Sequence, residues 1–226
     1  MENDRIYKKM PPLRPKINLY SRPGAEDFAL IGLCKAAIDA DVYSATVPTE
    51  RLDEAWKWLE KSPVIPVARL DYTAELPLEN LVFKKIKDAF KKGAAEVELA
   101  VPTSLWRSMD AAEALVDIAL EAADGKPLKI DLETPALSVP ALREAARLLL
   151  AAGVPVIKTA SGLYPRASTL AHLNVLFEEI RGAGNESVRV DFLFEPADRF
   201  VASDAARLAL SMLGAADRLV MSVEWR

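Results

Sequence analysis

Short runs of β-type residues alternate with amphipathic helical runs along this chain, and that alternation constrains the fold more than any other feature. The pattern predicts strands at residues 16–20, 42–47, 64–70, 96–101, 128–132, 156–159, 188–193 and 218–223. Between them it predicts helices at 25–40, 50–61, 78–92, 108–123, 139–152, 168–182 and 202–213. Local punctuation agrees with several of these boundaries. Thr49 precedes one helix, Ser138 and Pro140 open another, and Gly93, Gly153 and Gly214 close others. Eight strands separated by seven helices predict a compact (β/α)8 barrel occupying residues 1–226, with short loops and the final helix missing after residue 223. An open doubly wound sheet would want a glycine-rich dinucleotide fingerprint after a strand, and no strand is followed by one.

Composition narrows the functional classes. Half of the residues are hydrophobic (51%) and the formal net charge is −4, so nucleic acid is not an expected partner. The longest apolar stretch, residues 145–157, is interrupted by Arg147, Gly153 and Pro155 and falls short of a membrane span. The first residues mix acids with bases and lack the apolar core of a secretory signal. One cysteine, Cys34, excludes an internal disulfide and fits a reducing cytoplasm, and its apolar neighbours read as packing. With His172 as the only histidine, a histidine-rich zinc site cannot be built, so no metal is expected. His172 lies inside a predicted helix and reads as a surface or core-edge residue. The alanine-rich helices leave homo-oligomerisation open.

In a barrel, function sits where strands end at the C-terminal face, so polar residues within or just after strands form the candidate set. Lys158 heads it, at the end of the buried run Val156-Ile157-Lys158-Thr159 and just before Ser161-Gly162. Burying an ammonium is costly unless it is paired or loses its proton, and a neutral lysine is a nucleophile suited to Schiff-base chemistry. Glu98 lies inside the fourth strand. Lys129, Asp131 and Glu133 alternate on the fifth and share a side, and Arg69 and Asp71 close the third. Arg189 and Asp191 alternate on the seventh. A bland reading, in which each charge meets solvent or a helix, competes for every one of them taken singly. Convergence of a lysine, a carboxylate and a guanidinium at one mouth favours chemistry.

Several motifs, in order and over most of the chain, resemble those of the deoxyribose-phosphate aldolases. Lys158-Thr159-Ala160-Ser161-Gly162 resembles the family's Schiff-base strand, K-T-[ST]-[TS]-G. Leu33-Cys34-Lys35-Ala36-Ala37 resembles L-C-x-x-A, and Gly93 to Glu98 resembles G-A-D-E-I-D. Leu128 to Thr134 resembles L-K-V-I-x-E-T, and Gly214 to Arg218 resembles the G-A-x-R-I that leads into the last strand. The resemblance implies a TIM barrel and a class I aldolase that needs no cofactor and acts on a small aldehyde or sugar-derived substrate. It implies Lys158 as the Schiff-base lysine and Glu98 at the place of an aspartate proton shuttle. Arg189 stands where the family has a second lysine, and would depress the Lys158 pKa and hold an anionic or hydroxylated substrate end. Lys129, Thr159, Ser161 and Ser222 are the expected substrate contacts.

The departures fall on functional positions. The family's first strand reads I-D-H-T where this chain has Ile17-Asn18-Leu19-Tyr20. Its glycine-rich phosphate stretches after strands seven and eight are replaced by Asp191-Phe192-Leu193-Phe194-Glu195-Pro196 and Val220-Met221-Ser222-Val223, which are hostile to a phosphate dianion. The alternative to an enzyme is therefore a non-catalytic barrel of the same ancestry that binds a metabolite or a protein.

Overall fold

The computed structural model describes residues 16–20, 27–71, 79–162, 167–185, 187–194, 199–214 and 216–225. Strands and helices alternate in the order β1 (Lys16–Tyr20), α1 (Asp27–Asp39), β2 (Ser44–Pro48), α2 (Leu52–Leu59), β3 (Ile65–Asp71), α3 (Glu79–Lys91), β4 (Glu96–Ala100), α4 (Met109–Ala123), β5 (Leu128–Asp131), α5 (Val139–Ala152), β6 (Val156–Lys158), α6 (Leu170–Gly182), β7 (Arg189–Leu193), α7 (Arg199–Leu213) and β8 (Leu219–Glu224). Each strand pairs in parallel with the next, and β8 returns to β1 to close the barrel. The (β/α)8 expectation therefore holds, and among the described residues no helix follows β8.

Local chemistry sets the boundaries. Ser138 caps α5 by accepting from the Ala141 N–H, Pro140 sits in the first turn, and Gly153 ends the helix at φ 82°. At α6, Thr169 is the N-cap and the His172 ring takes part in a reciprocal capping box. His172 thus serves the helix terminus, consistent with its bland reading. A 3-10 turn, Thr49–Arg51, precedes α2, where the sequence pattern suggested one continuous helix. The chain reverses through Asp41 at φ 48° before β2, so that strand begins later than predicted.

Along the strands one face is apolar and the other carries most of the polar residues. On β4, Val97 and Leu99 join the main apolar cluster, as do Ile130 on β5, Ile157 on β6, and Val190 and Phe192 on β7. These residues meet helix faces such as Leu142, Ala145, Ala146 and Leu149 of α5. The hydrophobic core is therefore the shell between strands and helices, where each fully buried leucine contributes about 1.5–3 kcal/mol. Cys34 belongs to that shell, and burial followed by the nearby Glu54 pushes its thiol up to about 11. It is packing rather than a nucleophile.

The alternate residues point to the barrel axis, because their side chains bond across it between strands that are not neighbours. Lys129 of β5 reaches Asp191 of β7 at 2.6 Å, and Lys158 of β6 reaches Glu98 of β4 at 2.7 Å. Barrel interiors are usually filled by valine, isoleucine and leucine. This one holds ion pairs and hydroxyls, with the buried Val67, Val156 and Val220 in the same phase beside them. Among the described residues no helix is long and apolar enough to cross a membrane.

Candidate active site

One polar network runs through the axis and draws a side chain from every strand. Ser44 and Thr46 of β2 donate to Asn18 Oδ1 of β1 at 2.7 and 3.1 Å. Asn18 Nδ2 donates to Ser222 Oγ of β8 at 2.9 Å, and Ser222 donates to Asp191 Oδ1 at 2.6 Å. The other Asp191 oxygen accepts from Lys129, whose ammonium also lies 3.1 Å from Glu96 Oε1 and 3.6 Å from Glu98 Oε2. Glu98 Oε1 accepts from Lys158, and Arg69 Nε of β3 stands 3.9 Å from the same oxygen.

Alternation explains the arrangement. Paired residues of parallel strands project to the same side, and Arg69↔Glu98, Glu98↔Lys129, Asp131↔Lys158 and Lys158↔Asp191 are in register. The sequence-level grouping of Lys129 with Asp131 is thus realised on the inner face. Glu133 has left the strand: it adopts φ 52°, and its carboxylate accepts from the Ser161 N–H at 2.7 Å.

Lys158 is the last residue of β6 and is fully buried, as is Glu98. The Tyr20 ring lies over its ammonium, 5.3 Å to the ring centroid, and packs with Ala160 and Leu193 in a small apolar cluster. Gly162 takes φ 81° and lies so close to Tyr20 that a Cβ there would stand 2.8 Å from the ring. A glycine at this place lets the aromatic lid seat on the loop after β6.

Electrostatics separates the buried carboxyls. Burial alone would raise Glu98, but the Lys158, Lys129 and Arg69 cations outweigh it and hold the group low, at about 2. Glu96 is likewise held below its usual range by Lys129 and Arg189 against burial. Asp131 goes the other way. Burial first and the Glu98 charge second lift it well above the carboxylate range, and neither of its oxygens has a hydrogen-bond partner among the described residues. Burial would lower Lys129, yet Asp191, Glu96 and Glu98 together raise it well above the ordinary lysine value. Lys129 is thus a fixed cation.

The structure brings Lys158 and Glu98 into direct contact, and it does not bring Arg189 to them. Arg189 is the first residue of β7, at the N-terminal end of the barrel, where it bonds Glu96 Oε2 at 2.5 Å and Tyr43 Oη at 2.9 Å. Register explains this: Arg189 pairs with Val156, and Asp191 is the β7 residue level with Lys158. The expected substrate contacts are also engaged internally. Lys129 holds three carboxylates, Ser222 links Asn18 to Asp191, Thr159 Oγ1 accepts from the Leu193 N–H, and the Ser161 carbonyl accepts from Arg69. Glu195 and Pro196, part of the loop expected to repel phosphate, lie outside the described residues.

Arg69 and Asp191 were visible in the sequence as polar strand residues without a role. Their signal was phase alone: each shares the alternation of a residue already singled out. Among the described residues no group of histidine, cysteine and acidic side chains is arranged to hold a metal ion.

No family model matches the chain. It is similar to curated proteins named deoxyribose-phosphate aldolase, at 28% identity over 196 residues in Nocardia farcinica, covering 84% of this chain and 85% of the relative. The corresponding protein of Streptococcus sanguinis is 24% identical over 193 residues, covering 84% and 88%. Among solved structures, the deoxyribose phosphate aldolase of Aeropyrum pernix superposes with a TM-score of 0.72 at 19% identity, covering 92% of this chain and 85% of that one.

Proposed function

We propose that this chain, a divergent relative of the deoxyribose-phosphate aldolases, is a class I aldolase that works through a Schiff base on Lys158. The relationship supports an aldolase function. The observation that carries the lysine chemistry is the fully buried Lys158–Glu98 pair, 2.7 Å apart beneath the Tyr20 ring. The Lys158 charge is the leading cause that holds Glu98 low against burial, so passing the ammonium proton to Glu98 removes that cause as it leaves an amine for attack. The amine nitrogen bonds the carbonyl carbon, the oxygen leaves as water after protonation, and the resulting iminium draws electrons from the C–C bond that breaks. Lys129, with its three carboxylates, keeps Glu98 in place from the far side.

The substrate is an aldehyde or hydroxy-aldehyde that does not depend on a phosphate group. Backbone N–H groups are what such sites use to cradle phosphate. At the ends of β6 and β7 the Ser161 N–H is spent on Glu133 and the Leu193 N–H on Thr159. The single buried cysteine suits a reducing compartment such as the cytoplasm.

The test is retro-aldol turnover on a panel of short hydroxy-aldehydes, with and without a terminal phosphate, comparing the parent with Lys158→Ala. The expected result is turnover by the parent on unphosphorylated members and none by the variant. A Lys158→Ala protein that retains full activity contradicts the mechanism.

A further inference from the structure

Next to Lys158 the barrel holds hydrogen-bonding capacity that no described residue takes up. Both Asp131 oxygens, Glu98 Oε2 and Arg69 Nη2 are buried without a hydrogen-bond partner among the described residues. Buried polar groups are nearly always hydrogen-bonded, and a cluster with open hydrogen-bonding capacity beside one potential nucleophile calls for a ligand or a reaction. Asp131 stands out within it. It is fully buried, and it is level with Lys158 on the neighbouring strand, about 4.8 Å away across the sheet. In the motif L-K-V-I-x-E-T that this strand resembles, the corresponding position is isoleucine, so an apolar residue satisfies the fold there.

From this geometry we propose that Asp131 is a catalytic residue, the group that gives a proton to the substrate carbonyl oxygen at Lys158 and takes it back. The inference rests on the Schiff-base reading of Lys158 and deepens it. The charged groups facing Asp131 are Glu98 on β4, Lys158 on β6, Arg69 on β3 and Glu133 just past β5. Burial and the Glu98 carboxylate favour the neutral acid more than Lys158 and Arg69 oppose it. Two carboxyls therefore flank one amine in surroundings that push them in opposite directions. Glu98 is held toward the carboxylate that can receive the ammonium proton, and Asp131 is driven toward the neutral acid that has a proton to give. Environments that push a pair of titratable groups apart assign the acid and the base.

The proton ledger closes on Asp131. As the N–C bond forms and the C=O π bond breaks, the oxygen takes the Asp131 proton. The attached nitrogen then returns a proton to the Asp131 carboxylate, giving a neutral carbinolamine. Asp131 protonates the hydroxyl, the C–O bond breaks, water leaves, and the iminium remains beside the Asp131 carboxylate. That carboxylate accepts the β-hydroxyl proton as the C–C electrons move into the iminium, leaving an enamine, a free aldehyde and a protonated Asp131.

The test compares the parent with Asp131→Asn and Asp131→Ile, the second being the residue of the resembled motif, with thermal unfolding as the check on folding. Two readouts are taken at pH 7: the infrared carbonyl stretch of a protonated carboxyl, as a parent-minus-variant difference, and the rate of borohydride-trapped adduct formation with acetaldehyde. The expected result is a protonated-carboxyl band present only in the parent, with trapping at least about 100-fold slower in both variants. The parent's trapping rate should fall as the pH rises through the elevated Asp131 pKa. No band, or trapping at the parent's rate in a folded variant, overturns the assignment. A band with no adduct on the parent for any carbonyl overturns it too, and identifies the Schiff-base reading as the part that failed.

Discussion

Replacing Lys129 by methionine removes the cation that holds the barrel axis together. In the parent its ammonium sits 2.6, 3.1 and 3.6 Å from Asp191, Glu96 and Glu98, with all four side chains buried. Methionine matches the stem but leaves three carboxylates without their shared partner, and breaking a buried pair by deleting one member costs about 3–5 kcal/mol. Each carboxylate keeps another partner: Asp191 has Ser222, Glu96 has Arg189, and Glu98 has Lys158 and, at 3.9 Å, Arg69. That places the cost at the lower end, about 3 kcal/mol, which lowers the melting temperature of a chain this size by about 6–12 °C. Thermal unfolding followed by far-UV circular dichroism reads it directly.

The acid dependence gives the effect a signature. Glu96 and Glu98 are held below their unfolded value of 4.5, Glu98 at about 2. Their contribution is present above pH 4.5 and lost as the pH falls toward 2, so the gap between variant and parent should close in that window. Lys129 is raised, so its own contribution is complete below 10.5 and disappears only above its folded value. A Lys129→Met protein that melts at or above the parent temperature at pH 7 refutes the argument that the axis is held by this cation.

Two further substitutions separate the mouth of the barrel from its base. Gly162→Ala forces a side chain at φ 81° and a Cβ 2.8 Å from the Tyr20 ring. It should cost about 1–2 kcal/mol and slow adduct formation on Lys158 by displacing the ring above it, as read by melting and trapping rates. Arg189→Met strips the guanidinium from Glu96 and Tyr43 at the opposite end. It should destabilise by about 1.5–3 kcal/mol while trapping on Lys158 proceeds at the parent's rate, and a large loss of trapping would reinstate Arg189 at the site.

The fold was legible because each βα unit announces itself twice, by period and by caps. Strands at Lys16–Tyr20 and Arg189–Leu193 and the helix Val139–Ala152 lie where the apolar rhythm and Ser138, Pro140 and Gly153 put them. What the rhythm cannot say is which face of a strand looks inward. On β4 the apolar residues Val97 and Leu99 serve the helices and the glutamates face the axis, the reverse of a barrel filled with aliphatic layers. Lys158 and Glu98 stood out because a charge inside a buried run is conspicuous, and the structure puts the two in contact. Arg189 looked equivalent by type, but its place two residues before Asp191 puts it one pleat lower, a matter of register that appears only when β6 and β7 are paired. Asp131 was seen as one of three alternating charges, and its lack of hydrogen-bond partners among the described residues depends on neighbours contributed by three other strands.

The most direct test of the Schiff-base account is reduction with borohydride during incubation with acetaldehyde and a panel of short hydroxy-aldehydes and ketones, followed by intact-mass and peptide-mapping mass spectrometry. The account expects one stoichiometric adduct, confined to Lys158, with the accepted carbonyl identifying the substrate class. Labelling scattered over surface lysines while Lys158 stays unmodified would contradict it, and would leave the Lys158–Glu98 pair as a structural element of the barrel axis.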